Sequence, residues 1–303
     1  MGPDGEQGDR VAPAGEMIAV DWGTTNRRAW LLAADGRILA RMADDRGVLA
    51  LPPAAYPAEV AAIRQRLGTH PLIAAGMVGS ARGWREIAYV DAPAGVAGLA
   101  RGACRLAEFD VTLVPGVALR GERADVMRGE EVQVLGAIAA GFAPADALFC
   151  QPGTHNKWIT TREGQIADFS TAMTGELFAL LRGGGTLAPM LDGPVRDGAA
   201  FRAGLRRGMG ARDLPAALFG VRAAVLLGSL EPGEAPSFAS GLLIGADVGA
   251  CDGLAGREVQ LLAAGPLADL YAAAIAEAGG QAILLDAEAA FVAGIRAIRE
   301  HLP

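Results

Sequence analysis

Apolar residues in this chain fall into short runs separated by glycine-bearing turns, and these runs alternate with stretches of helical spacing. Runs at 17–20 and 29–33 flank a polar hexapeptide, Asp21-Trp22-Gly23-Thr24-Thr25-Asn26, and predict strand, tight turn, strand. Residues 37–42 continue as a third strand. Residues 56–67 set Val60, Ile63 and Leu67 on one side and predict a helix. Short buried strands follow at 72–75, leading into Gly76-Met77-Val78-Gly79-Ser80, and at 111–114, closed by Pro115-Gly116. Residues 125–140 predict a helix with Val132, Leu135, Ile138 and Ala139 on one side.

The pattern then restarts. A strand at 147–150 runs into Gln151-Pro152-Gly153-Thr154-His155-Asn156, followed by strands at 157–161 and 165–169. A helix over 174–181 is broken by Gly183-Gly184-Gly185. Residues 199–251 read as mainly helical, with loops at 208–210 and 231–236. A strand at 259–263, a helix over 267–277 opened by Gly265-Pro266, a strand at 282–285 and a helix over 287–301 complete the chain. Each half therefore opens with three strands around a Gly-Thr turn, at Gly23-Thr24 and at Gly153-Thr154. The expected organisation is an α/β protein of two domains, 17–140 and 141–303, after a disordered lead-in at 1–16 that is rich in glycine, proline and charge. Two such turns facing one another would grip a phosphate chain from both sides of a cleft.

Composition narrows the class. With 303 residues, 51% of them hydrophobic, the chain can build a substantial core. A net charge of −7 argues against nucleic acid as a partner. The three cysteines, Cys104, Cys150 and Cys251, form no C-x-x-C pair, so zinc and dithiol chemistry lack support. An odd cysteine count with no signal peptide fits the cytoplasm. No apolar run approaches the roughly 20 residues of a membrane span.

The chemistry lies in the turns. Gly23 lacks the Cβ that would hold a ligand away, and Thr24, Thr25 and Asn26 add hydroxyl and amide donors. Such a turn can hold phosphate oxygens while Asp21 holds a hydrated Mg²⁺, or it is an ordinary polar hairpin turn. Among other nucleotide signatures, G-x-x-x-x-G-K-[ST], the protein-kinase motifs and a G-x-G-x-x-G after the first strand are all missing.

Six motifs in order carry a family resemblance. They are Asp21 to Asn26, Ala75 to Ser80 with Gly83-Trp84, Val126-Met127-Arg128-Gly129-Glu130-Glu131, Pro152 to Trp158, Met173-Thr174-Gly175-Glu176-Leu177, and Ser240 to Ala246. The double Gly-Thr architecture resembles the actin, heat-shock chaperone and hexokinase superfamily. The motifs more narrowly resemble the 2-dehydro-3-deoxygalactonokinases, from residue 17 to 298. The resemblance implies two ribonuclease H-like (actin/hexokinase-type) domains with an interdomain ATP cleft, ATP and Mg²⁺ as reaction partners, and a sugar-acid substrate. It leaves open a kinase for another sugar or sugar acid such as 2-dehydro-3-deoxygluconate, a nucleotide-binding regulator without catalysis, and a homo-oligomer.

The same resemblance assigns roles. Gly23, Thr24, Thr25 and Asn26 would surround the γ-phosphate, and Gly153 and Thr154 the β-phosphate, with His155 beside them. Gly265 would mark the adenosine turn, although Ala264-Gly265-Pro266-Leu267 lacks the small or hydroxyl neighbour that relatives often have. Glu130, or second to it Glu131, would accept the substrate proton, with Asp125 as a backup outside the resemblance. Gly76, Met77, Val78, Gly79, Ser80 and Trp84 would form the sugar-acid pocket, and Arg128 would pair with its carboxylate. Two polar side chains keep alternative readings: Lys157 as phosphate contact or solvated surface lysine, and Thr174 as cleft residue or helix cap.

Overall fold

Three antiparallel strands open each half of the molecule. In the computed structural model, which describes residues 15–303, the first three are β1 (Met17–Trp22), β2 (Arg27–Leu32) and β3 (Ile38–Asp44). Side chains alternate along β1. Met17 and Ala19 enter the core on one face of the sheet, Ile18 and Val20 the core on the other. Then come α1 (Tyr56–Leu67), β4 (Leu72–Gly76), β5 (Val90–Asp91), α2 (Val96–Gly102), β6 (Cys104–Leu106), β7 (Val111–Leu113), β8 (Val117–Leu119), β9 (Asp125–Met127) and α3 (Glu130–Ala139). The main sheet of this half has the order β3-β2-β1-β4-β7-β6, with β4 parallel to both β1 and β7. A separate three-stranded sheet, β5-β8-β9, stands beside it.

The second half repeats the plan with β10 (Leu148–Gln151), β11 (Asn156–Arg162), β12 (Gln165–Ala172) and α4 (Thr174–Gly183). Three helices follow, α5 (Ala199–Met209), α6 (Leu214–Leu226) and α7 (Ala235–Gly249). The half closes with β13 (Glu258–Leu261), α8 (Gly265–Glu277), β14 (Gln281–Leu284) and α9 (Ala287–Arg299). Its sheet has the order β12-β11-β10-β13-β14. This is the two-sheet architecture of the actin- and hexokinase-type fold.

One core joins the halves. Trp30 and Ile73 of the first sheet, Phe149 and Ile159 of the second, and Leu135 and Phe291 of two helices belong to a single buried cluster. The final helix returns to α3, where two glycines let the backbones touch. A Cβ on Gly136 would lie 2.0 Å from the Ala290 carbonyl oxygen, and one on Gly294 2.0 Å from that of Val132.

Two expectations need correction. The helix expected over 125–140 begins only at Glu130, and Asp125–Met127 is instead strand β9, paired antiparallel with β8. Gly129 sits at φ +113, far from helical backbone, and so divides strand from helix. Between Ser80 and Arg120 the hydrophobic pattern predicts one strand, whereas the chain forms β5, α2, β6, β7 and β8. Of the lead-in expected at 1–16, residues 1–14 lie outside the described residues. Among the described residues, no helix is long and apolar enough to cross a membrane.

Candidate active site between the two Gly-Thr turns

The first turn is held from behind. The amide N–H groups of Gly47, Val48 and Leu49 donate to the carbonyls of Thr25, Gly23 and Thr24 at 3.0, 3.1 and 3.1 Å. In a trans peptide the C=O and the following N–H point in opposite directions. The N–H groups of Thr24, Thr25 and Asn26 are therefore turned away from that brace, toward the solvent side. A cleft of about 560 Å³ lies there, lined by Asp21, Gly23, Thr24, Thr25, Asn26, Arg27, Arg28, Ala43 and Asp44. A row of amide donors facing a cleft suits an anion.

Asp21, near the end of β1, lies opposite Arg28 on β2, whose Nη2 donates to its Oδ2 at 2.5 Å. Arg27 points the other way and is 2% exposed. It forms a two-point pair with Asp44 and a third bond to Glu59 at 2.9 Å. Asp44 and Arg27 are thereby committed to the scaffold, and Asp21 and Arg28 are the charges the cleft presents. Among the described residues no cluster of three His, Cys, Asp or Glu forms a metal cage. A single carboxylate beside a phosphate turn suits Mg²⁺, which keeps most of its water and takes one or two protein ligands plus phosphate.

The expected sugar-acid loop is docked on this turn. Gly76, at φ +94, packs so closely that a Cβ there would sit 2.7 Å from the Trp22 carbonyl oxygen. Gly129 in turn abuts Gly76, its Cβ position 3.3 Å from the Gly76 Cα. Met77–Gly79 forms one 3-10 turn, with Val78 buried in the core and Met77 packed against that core from its edge. The Ser80 hydroxyl donates to the Met77 carbonyl at 2.7 Å. Trp84 stacks on Tyr56 at 5.7 Å and meets Phe109 at 5.1 Å, so the structure sets it in an aromatic cluster of the core.

Arg128 is a buried guanidinium at the end of this loop. It is 8% exposed, lies over the Tyr89 ring at 4.2 Å, and its Nη2 donates to the Ile87 carbonyl at 2.8 Å. Its Nε and Nη1 have no hydrogen-bond partner among the described residues. Burying donors unpaired is costly, which makes these two nitrogens a ready receptor for an anionic group. A Cβ on Gly79 would come within 2.9 Å of Nη1, so glycine lets the loop pack directly against the guanidinium.

The two adjacent glutamates at the start of α3 differ. Glu131 is fully buried, and both its carboxyl oxygens accept from the Gly129 N–H, at 2.9 and 2.7 Å. Burial and the neighbouring Glu130 charge push its pKa up to about 8. Glu130 accepts from the Arg128 N–H at 3.0 Å. Burial raises its pKa as well, but the Lys157 charge opposes the shift, while Asp21 adds to it. Both carboxyls are thus pushed toward their protonated forms, and Glu130 is the member of the pair whose charge Lys157 favours. Asp125 lies on β9 and accepts from the Thr171 hydroxyl at 2.7 Å.

The second turn is fastened to α4. A Cβ on Gly175 would sit 2.3 Å from the Gly153 carbonyl oxygen, and the Glu176 N–H donates to the Thr154 carbonyl at 2.9 Å. His155 Nε2 meets Glu176 Oε2 at 2.6 Å. A helix N-terminus against a Gly-Thr turn suits a phosphate. Gly265, at φ +62 with open space where a Cβ would be, begins α8. A small recess behind the turn is lined by Gly153, Gly175, Ser240, Leu267 and Tyr271, among others.

Three polar side chains went unread or misread in the sequence. Lys157 is 4% exposed, so the solvated alternative fails. Thr174 does not cap α4; its hydroxyl donates to Asp247 at 2.8 Å. Asp247 itself, on α7, also accepts from Asn156, Trp158 and Tyr271 at 2.9, 2.9 and 2.7 Å. This buried carboxylate ties together the strand after the second turn, the start of α4, and α8. The only sequence signal for it is its place just after Ser240 to Ala246.

The sheet orders and the repeated three-strand openings define the class, an α/β fold of the actin and hexokinase type. A structure of Acidaminococcus fermentans (R)-2-hydroxyglutaryl-CoA dehydratase component A shares this fold, with TM-score 0.51 and 14% identity over 95% of this chain and 98% of that one. The chain belongs to the 2-keto-3-deoxy-galactonokinase family, whose model matches residues 21–298. A 2-dehydro-3-deoxygalactonokinase of Escherichia coli (strain K12) is 37% identical over 287 residues, covering 93% of this chain and 96% of the relative. A crystal structure of a Sinorhizobium meliloti protein named for the same kinase superposes with TM-score 0.85 and 33% identity, over 93% of this chain and 95% of that one.

Proposed function

We propose that this protein transfers the γ-phosphoryl group of ATP to the terminal hydroxyl of 2-dehydro-3-deoxy-D-galactonate, giving the 6-phosphate and ADP. The observation that carries the reading is convergence. Lys157 from just beyond the second turn binds the Val126 carbonyl on the strand that leads into Glu130, and Gly129 beside Glu130 packs on Gly76, which packs on Trp22 of the first turn. A carboxylate poised between two phosphate-type turns is what hydroxyl phosphorylation requires. Family membership and the relatives' names supply the substrate class.

The roles follow from the geometry. The N–H groups of Thr24, Thr25 and Asn26 receive the γ-phosphate oxygens, and the second turn with the α4 N-terminus receives the β-phosphate. Asp21 would hold Mg²⁺, which would supply charge neutralisation for the phosphates. Arg28, once released from Asp21, would be free to pair with a phosphate oxygen. Arg128 receives the substrate carboxylate on its unpartnered Nε and Nη1 edge. Glu130 accepts the proton of the attacking hydroxyl as that oxygen bonds to phosphorus and the bridge to the β-phosphate breaks. Gly265 borders the nucleoside. The two halves, 17–140 and 141–303, act as domains that close over both substrates and exclude water, with Gly129 and α9 as hinge elements. The setting is the cytoplasm.

The test is ADP release with Mg·ATP and a panel of 2-dehydro-3-deoxygalactonate, its gluconate epimer and plain hexoses. Activity confined to the galactonate compound is expected. Preference for the epimer or a hexose would overturn the substrate. Silence across the panel, with ATP still bound, would overturn the kinase.

A further inference from the structure

Lysine occurs once in this chain. Of 27 basic residues, 26 are arginine and the other is Lys157. It stands on β11 next to Asn156, the last residue of the second turn, and is buried. Its ammonium donates to the Val126 carbonyl at 3.1 Å and to the Thr171 hydroxyl at 2.7 Å. The Thr171 hydroxyl in turn donates to Asp125 at 2.7 Å. Val126 and Asp125 belong to β9, the strand that leads through Arg128 and Gly129 into Glu130. A side chain of the second half thus grips the first half four residues before its candidate base.

An ammonium suits this place and a guanidinium does not. A compact charge with three rotatable donors can serve a carbonyl and a hydroxyl on two different strands. A planar fork with five donors would bury several of them without partners. Every other lysine-or-arginine position in the chain is arginine. Charge adds to the geometry. Lys157 favours the ionised form of Glu130, against burial and against Asp21; Glu131 on the same helix keeps its proton.

We propose that Lys157 is a positioning residue that couples the second Gly-Thr turn to Glu130. Its ammonium fixes the 125–130 segment to β11, so that the turn and the base take up their working positions together. The inference rests on the roles of Glu130 and of the second turn proposed above. It adds the requirement that the connecting residue be lysine.

A single lysine makes the test direct. Lys157→Arg and Lys157→Met are compared with wild type for kcat and for the KM of ATP and of the sugar acid separately. Both are expected to lose about 10²-fold in kcat, the low end of what a general base contributes, with each KM moving less than about 3-fold. Wild-type kcat in Lys157→Arg would overturn the inference. So would a Lys157→Met variant that loses only ATP affinity, since that marks a plain phosphate contact. Protein grown on ¹³C-lysine shows one lysine ε-methylene signal in NMR, which decides the matter if the variants do not fold. This signal is expected to shift in Glu130→Gln and on addition of Mg·ADP. A signal indifferent to both would overturn the coupling. If wild type phosphorylates nothing on the panel, the kinase reading fails, while the NMR response still reports on the coupling alone.

Discussion

Arg28 Nη2 donates to Asp21 Oδ2 at 2.5 Å across the first strand pair, so the carboxylate proposed to hold Mg²⁺ is already neutralised by a protein cation. The Arg28 side chain is 46% exposed and has room to leave. A cation that keeps Asp21 satisfied and then yields to a stronger one keeps the empty cleft from carrying a bare negative charge. Asp21→Asn should cost at least about 10²-fold in kcat without unfolding, because the metal site is lost. Arg28→Ala should raise the KM of ATP about 10-fold, in the range of one charge-assisted contact, and should lower the Mg²⁺ concentration needed for half activity. A higher Mg²⁺ requirement in Arg28→Ala would contradict the exchange.

The brace behind the first turn can be tested at Gly47. A Cβ there would lie 2.4 Å from the Thr24 carbonyl oxygen. Gly47→Ala must push the turn forward or break its hydrogen bonds. Its kcat/KM for ATP should fall about 10-fold or more, since small misplacements of reacting groups are expensive. Its melting temperature should fall less than that of a core truncation. Unchanged ATP kinetics would show that the turn does not meet the nucleotide.

Glu131 sets a pH dependence of stability. Its folded pKa, about 8, lies above the ordinary 4.5. Between these values the folded protein keeps a proton that the unfolded chain has lost. The stability this confers is complete below about pH 4.5 and disappears as pH rises through about 8, at about 1.4 kcal/mol for each pH unit crossed between the two values. Glu131→Gln retains an oxygen acceptor for the Gly129 N–H and cannot ionise. Denaturant titrations should show a flatter stability profile in Glu131→Gln, and activity should stay within about 10-fold of wild type. Glu130→Gln should lose about 10²- to 10⁴-fold, as expected for a general base. The opposite ranking of the two variants would exchange their roles.

The unpartnered edge of Arg128 predicts a selective defect. Arg128→Lys loses the stacking on Tyr89 and the forked donor set. The KM for the sugar acid should rise about 10- to 100-fold, the cost of roughly 1.4–3 kcal/mol of binding, with the KM for ATP unchanged. Isothermal titration with the sugar acid alone would check it. An equal loss toward both substrates would instead mark Arg128 as part of the scaffold.

The α3–α9 crossing should tolerate no side chain. Gly294→Ala would place a methyl 2.0 Å from the Val132 carbonyl oxygen, inside the core shared by both halves. Overpacking of this kind costs at least about 1–3 kcal/mol. Thermal unfolding followed by circular dichroism should show a clear fall in midpoint. A midpoint at the wild-type value would mean that the helices slide apart freely.

Much of this was legible in the chain. Both three-strand openings could be read because each strand borders a glycine turn and alternates in polarity, which is local information. The helices at 56–67 and 287–301 were visible for the same reason, since their apolar faces recur at helical spacing. Asp21 and the Gly-Thr turns stood out because a phosphate turn needs glycine and small donors at adjacent positions. What failed was any position whose meaning depends on distant partners. Trp84 looked like a pocket wall until Tyr56 and Phe109 enclosed it. Lys157 kept two readings until the Val126 carbonyl, 31 residues earlier in the chain, accepted its hydrogen bond. Strand β9 passed for helix because a three-residue strand carries almost no periodicity, and only its pairing with β8 decides it. Asp247 gave no sign beyond its place after Ser240 to Ala246, because its four donors lie up to 91 residues away. Sequence alone thus determined the repeated architecture and the two Gly-Thr turns, which rest on contiguous residues. The tertiary structure decided which charges are buried, which are paired and which face the cleft, because those properties belong to the environment of a side chain and not to its neighbours in the chain.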